Sequence, residues 1–134
     1  MKLTDQAVKV ILETFPNVIA IYLFGSFGTK FATAQSDVDL AILAKNKIDK
    51  IRLWKLSQAI AIQIDKDVDL IDLKQVSTIL QFQIINENRR LYCQDEHKCN
   101  TFENIVDAEY LNFRQLRADL IADIKKRGRI TDGR

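Results

Sequence analysis

The chain has 134 residues, 47% hydrophobic and 28% charged, enough for one domain whose core folds without disulfide or metal staples. Twenty basic residues against eighteen acidic ones leave a net charge of +2, which offers no electrostatic footprint for a nucleic-acid or membrane surface. No apolar run approaches the roughly 20 residues of a spanning helix, and the opening MKLTDQAVKVILETF lacks a signal-peptide layout, so a cytoplasmic location is expected.

Residues 4–14 place Val8, Ile11, Leu12 and Phe15 at helical spacing, and Pro16-Asn17 ends that helix. Residues 18–24, VIAIYLF, are a continuous apolar and β-branched run, the pattern of a strand covered on both faces. Gly25-Ser26 follows directly, with a helix expected to open near Phe27 and Gly28. Residues 37–43, DVDLAIL, read as a second strand. Asp49 caps a helix running to about Asp65, with Ile51, Trp54, Ile60 and Ile64 among its expected buried residues. Residues 67–72, DVDLID, read as a third strand, residues 75–87 as helical, and Arg90–Cys93 as a short fourth strand.

The last element is a long amphipathic helix. Asn100 with Glu103 is expected to cap it, Phe102, Ile105, Val106, Phe113, Leu116, Leu120, Ile121 and Ile124 recur at helical spacing, Lys125-Lys126-Arg127 suit its negative end, and Gly128 is expected to stop it. Short strands alternating with helices predict an α+β layered domain rather than a bundle or sandwich. With no repeat, no low-complexity segment and one proline, the chain reads as a single domain over residues 1–134. Its core spans about residues 1–93, and the C-terminal helix, about 101–127, is a candidate docking element because its apolar positions exceed what one face of a small sheet needs.

Cys93, His97 and Cys99 form the one soft-ligand cluster. A closed zinc site takes four ligands, so these read as unpaired thiols in a loop of a reducing compartment. A single histidine with no nucleophile motif beside it leaves no basis for a Ser-His-Asp or Cys-His mechanism.

The chemistry concentrates in residues 20–44. Side chains alternate along a strand, so Asp37 and Asp39 share one face while Val38, Leu40 and Ile42 point into the core. Two carboxylates roughly 7 Å apart repel, and a hard divalent cation relieves that conflict. Mg²⁺ takes carboxylate oxygens, keeps waters and completes its shell with phosphates. Gly25 lets backbone approach a ligand closely, the amides after it can face phosphate oxygens, and the Ser26 hydroxyl adds a donor. On the third strand Asp69 is assigned as the third carboxylate. Asp72, of opposite parity, is read as a cap for the next helix and is the alternative for that role.

Gly25-Ser26, ten residues, then Asp37-x-Asp39, with a later strand aspartate, resembles the signature of the polymerase-β-like nucleotidyltransferases. The chain further resembles the minimal (MNT-type) antitoxins of the HEPN/MNT, type VII, toxin–antitoxin systems through its VDLIDL third strand, its RLY strand and Phe102-Glu103 followed by Tyr110-Leu111-Asn112-Phe113. One departure is INENRRLY, where many relatives carry a glycine before the short strand, which leaves that turn's geometry open.

The resemblance implies a two-layer nucleotidyltransferase fold with a mixed sheet of about four strands flanked by helices and the active site on its open edge. It implies an enzyme that moves AMP from ATP onto a tyrosine of a HEPN-type (HepT) RNase toxin, in a hetero-oligomer with that toxin. Asp37, Asp39 and Asp69 would be catalytic and would hold Mg²⁺, as two ions. Gly25, Ser26, Asp37 and Asp39 would bind the nucleotide. Two other readings are carried: a small-molecule nucleotidyltransferase of the aminoglycoside-modifying kind, which needs no partner, and an antitoxin acting by binding alone, which survives loss of Asp37 and Asp39.

Overall fold

A computed structural model describes residues 2–33 and 36–132. In chain order the elements are α1 (Lys2–Thr14), β1 (Val18–Phe24), β2 (Val38–Ala44), α2 (Lys50–Ile64), β3 (Val68–Asp72), a 3₁₀ turn (Leu73–Gln75), α3 (Thr78–Asn86), β4 (Arg90–Cys93) and α4 (Glu96–Asp132). The four strands form one mixed sheet in the order β3-β2-β1-β4. β1 runs antiparallel to both its neighbours, while β2 and β3 are parallel. A parallel pair needs a crossover, and α2 supplies it.

The central strands are apolar on both sides because both sides are covered. Ile21, Leu23, Val38, Leu40 and Ile42 pack with Ala7 and Ile11 of α1 and with Leu53, Leu56, Ile60 and Ile64 of α2. Ala20, Tyr22, Ala41 and Leu43 face the other way, into a smaller cluster with Ile84 and Ile85 of α3 and Cys99 and Val106 of α4. Phe82 and Tyr110 stack with ring centroids 3.7 Å apart and join α3 to α4.

Four expectations change. Asp49 does cap α2, accepting from Arg52 N at 3.2 Å, but Ile51 and Trp54 are exposed, 63% and 64%. Leu53, Leu56, Ser57, Ile60 and Ile64 make the buried stripe instead, and at 3.6 residues per turn Ile51 and Trp54 fall outside it. The helix α4 begins four residues before Asn100, because the Asp95 carboxylate caps it, accepting from His97 N at 2.9 Å and Lys98 N at 3.3 Å. It also runs through Gly128: a glycine inside a helix costs about 1 kcal/mol, which does not outweigh a propagating helix. Finally, Cys93 lies on β4 and Cys99 is fully buried on α4, so neither thiol sits in a loop.

Candidate active site

The register of three strands gathers the acids. Asp39 lies opposite Phe24 at the end of β1 on one side and level with Asp69 of β3 on the other. Val38, Leu40 and Ile42 are committed to the apolar cluster under α1 and α2, so parity turns Asp39 to the opposite face. Asp39 is half-buried, whereas Asp37 and Asp69 are exposed. Burial, then the charges of Asp69, Asp37 and Glu87, raise the Asp39 carboxyl to about 6. Glu87 is one residue beyond α3, and no spacing in the sequence places it beside Asp39.

Asp72 has a different setting. It is 5% exposed, and its carboxylate accepts from Ile48 N at 2.9 Å and Lys74 N at 3.2 Å, capping the 3₁₀ turn. Its charge is already satisfied by backbone donors, away from the face of Asp39.

Among the described residues no three His, Cys, Asp or Glu side chains already converge as a metal cage. The donors near Asp39 are hard carboxylate oxygens on an open ledge, crowded enough to raise one proton affinity. That set fits Mg²⁺, which takes few protein ligands and fills its remaining positions with water and phosphate.

The turn after β1 differs from expectation. Residues 25–31 form turns and bends rather than a helix. Gly25 and Gly28 hold φ of 80° and 76°, values that a right-handed helix cannot contain. The Ser26 carbonyl accepts from Thr29 N at 3.0 Å and Thr29 Oγ1 at 2.6 Å, and Ala32 N donates to Thr29 O at 3.1 Å. The amides this turn can offer to an anion are therefore those of a glycine turn and not those of a helix N-terminus. A Cβ on Gly25 would collide with the Asp39 carboxylate, with Cγ only 3.4 Å away, so only glycine lets the turn lie against the acids. Ser26 Oγ is 3.2 Å from Ser36 Oγ, which also accepts from Thr33 N at 2.8 Å, tying the turn to the approach to Asp37.

The α3–β4 turn closes the site from the other side. Asn88 adopts φ 56°, the left-handed conformation that glycine takes easily and asparagine tolerates, so the sequence lacking a glycine there still makes the turn. Arg89 follows. Its Nη1 donates to Gly25 O at 2.8 Å and its Nη2 donates to Phe27 O.

On the same face, a cavity of about 370 Å³ is lined by Tyr22, Ile85, Asn88, Arg90, Asn100 and Glu103. Tyr22 donates to Glu103 Oε2 at 2.7 Å, and Arg90 bridges Glu103 and Glu96, at 2.8 Å each. Burial and the Glu103 carboxylate push the Tyr22 phenol well above its ordinary range, so it remains a donor. Burial, then the Cys93 thiol, raises Cys99, which is inert in the core, and His97 is exposed two residues earlier on α4.

Residues 6–97 match the family model described as Polymerase beta, Nucleotidyltransferase. The protein adenylyltransferase MntA of Shewanella oneidensis is 36% identical over 88 residues, which are 66% of this chain and 63% of that protein, so the chain aligns with less than two thirds of that relative's length. A solved toxin–antitoxin structure with AMP-PNP matches at TM-score 0.77 and 30% identity, covering 90% of this chain and 96% of that one. The tri-AMPylated Shewanella oneidensis HEPN toxin in complex with MNT antitoxin matches at 0.74 and 30%, covering 91% and 95%.

Proposed function

Because this chain belongs to the polymerase beta nucleotidyltransferase family, we propose that it is a protein adenylyltransferase antitoxin that moves AMP from ATP to a tyrosine of a HEPN-type RNase toxin. Support comes from its likeness to MntA and to an antitoxin bound to a tri-AMPylated HEPN toxin. The observation that carries the reading is the meeting of Asp39, Asp69 and the Gly25 turn at one end of the sheet.

In this reading the amides of the glycine turn and the Ser26 hydroxyl bind the outer phosphates of ATP. Asp37, Asp39 and Asp69 hold Mg²⁺, as two ions. When bound, these supply the positive charge that offsets the charge developing on the attacking and leaving oxygens. The tyrosine oxygen attacks the α-phosphorus, the bond to the β-phosphate oxygen breaks, and pyrophosphate leaves. Asp69, exposed beside Asp39, takes the phenolic proton. No histidine is required, which suits a chain whose single one, His97, is exposed on α4 away from the acids.

The toxin presents the acceptor, and the outer half of α4 docks it. Val106 is 1% exposed, but Phe113, Leu116, Leu120 and Ile124 continue the same helical stripe at 41%, 70%, 59% and 57%. Water-exposed apolar residues in one row suit a protein partner. No described helix is long and apolar enough to cross a membrane, and a cytoplasmic location fits ATP as substrate.

The test is the intact mass of the copurified partner after incubation with ATP and Mg²⁺. A gain of AMP mapped to tyrosine, absent with Asp39→Ala, is expected. Neutralisation of the toxin that survives Asp37→Ala/Asp39→Ala would leave binding alone as the mechanism, and turnover of a small acceptor without partner would favour the small-molecule reading.

A further inference from the structure

We propose that Arg89 is the positioning residue of the phosphate-binding turn: by holding the carbonyls of Gly25 and Phe27, its guanidinium aims the next two amides, of Ser26 and Gly28, at the nucleotide. The inference rests on the nucleotidyltransferase reading for what the turn binds, but not for the turn's geometry.

Both of those carbonyls accept from one side chain, Gly25 O from Nη1 and Phe27 O from Nη2. A trans peptide carries its C=O and the following N–H in opposite directions, and no cis bond is present among the described residues. Pinning the Gly25 and Phe27 carbonyls on the Arg89 side therefore commits the Ser26 and Gly28 N–H groups to the other side. The turn needs such a clamp. Gly25 and Gly28 both sit at positive φ, and glycine surrenders more conformational freedom on ordering than any other residue. The turn's own bonds, from Thr29 and Ala32, hold its far end and leave the Gly25 and Phe27 carbonyls to Arg89.

Arg89 is itself fixed at its root. Asn88 at φ 56° reverses the chain, and the Arg89 carbonyl accepts from Leu23 N at 3.0 Å, two residues before Gly25. The side chain is 19% exposed, with Glu87 Oε1 3.5 Å from Nη1. The planar fork matters: two carbonyls at fixed positions require two donors at fixed positions, which an ammonium group does not provide. The guanidinium also places one positive charge beside a turn that neighbours Asp37, Asp39, Asp69 and Glu87, favouring an anion there.

Arg89→Met and Arg89→Lys test this with two readouts on the whole chain. Without nucleotide, backbone amide relaxation is expected to show Ser26–Thr29 disordering in Arg89→Met and, less so, in Arg89→Lys, while the melting temperature stays within a few degrees. With Mg²⁺ and AMP-PNP, calorimetry is expected to show about tenfold weaker binding for Arg89→Met, an intermediate loss for Arg89→Lys, and in turnover a raised KM for ATP with the KM for the protein acceptor unchanged. Equal affinity and an equally ordered turn in both variants would overturn the proposal. If wild type fails to bind AMP-PNP yet Arg89→Met still disorders the turn, the clamp stands and the nucleotide reading fails. Should Arg89→Met not fold, Arg89→Lys alone decides, because an undiminished affinity there removes the need for a fork.

Discussion

Asp39 carries the electrostatic conflict at the centre of the proposed site. Its folded carboxyl titrates near 6 against an ordinary 3.8, so between those values the native state holds a proton that the unfolded chain has released. Native stability without metal is therefore expected to fall as pH rises from about 4 to 6, by about 1 kcal/mol once solvent screening of this half-exposed group is allowed for. Urea melts at several pH values in chelator check this, and Asp39→Asn should flatten the slope and raise the neutral-pH melting temperature by a few degrees. The same variant should lose transfer activity by about 100-fold or more, since it removes a charge placed for the transition state. Gly25 makes the complementary case. Gly25→Ala places a side chain at φ 80° and against the Asp39 carboxylate, so a stability loss of about 1–3 kcal/mol is expected with loss of nucleotide binding, measured by thermal melts with and without AMP-PNP.

At the scale of elements, β4 and α4 are joined by a polar knot rather than by apolar packing alone. Glu103 accepts from Tyr22 and Arg90 in a setting where each of those groups is largely shielded. Glu103→Ala leaves the Tyr22 phenol without its acceptor and Arg90 with Glu96 alone, and should cost about 1–3 kcal/mol, whereas Tyr22→Phe removes one hydrogen bond and should cost about 1 kcal/mol, both read from denaturant midpoints. Glu103 is expected from the sequence to serve a helix cap. It serves the sheet instead, because Asp95 supplies the cap and the helix starts earlier. The α2 helix shows the same limit: its cap and length follow from local signals, but which stripe of its many apolar residues faces the sheet depends on the sheet.

At the scale of the whole molecule, α4 projects beyond what the sheet covers. Leu116→Asp/Leu120→Asp is expected to leave the melting temperature unchanged, since both side chains are already in water, and to weaken capture of the proposed HEPN-type toxin partner by about 100-fold or more in a pull-down or calorimetric titration. An equal loss of melting temperature would instead mean that the helix end packs on its own domain.

The strands, their faces and the pairing of Asp37 with Asp39 were legible because each follows from a local period: alternation along a strand, 3.6 residues per helical turn, a cap beside its helix. Gly25 and Ser26 were legible as a turn by their place after an apolar strand. Parity along the third strand already favoured Asp69 over Asp72 as the third carboxylate and read Asp72 as a cap. Tertiary structure alone supplied the register that sets Asp69 level with Asp39, the Ile48 amide on the Asp72 carboxylate, the charge of Glu87 beside Asp39, and the absence of a helix directly after Gly25. It also decided that Arg89 reaches back 64 residues to hold Gly25. Those facts are register and long-range contact, set by how the whole chain closes on its core, and no short window of residues contains them.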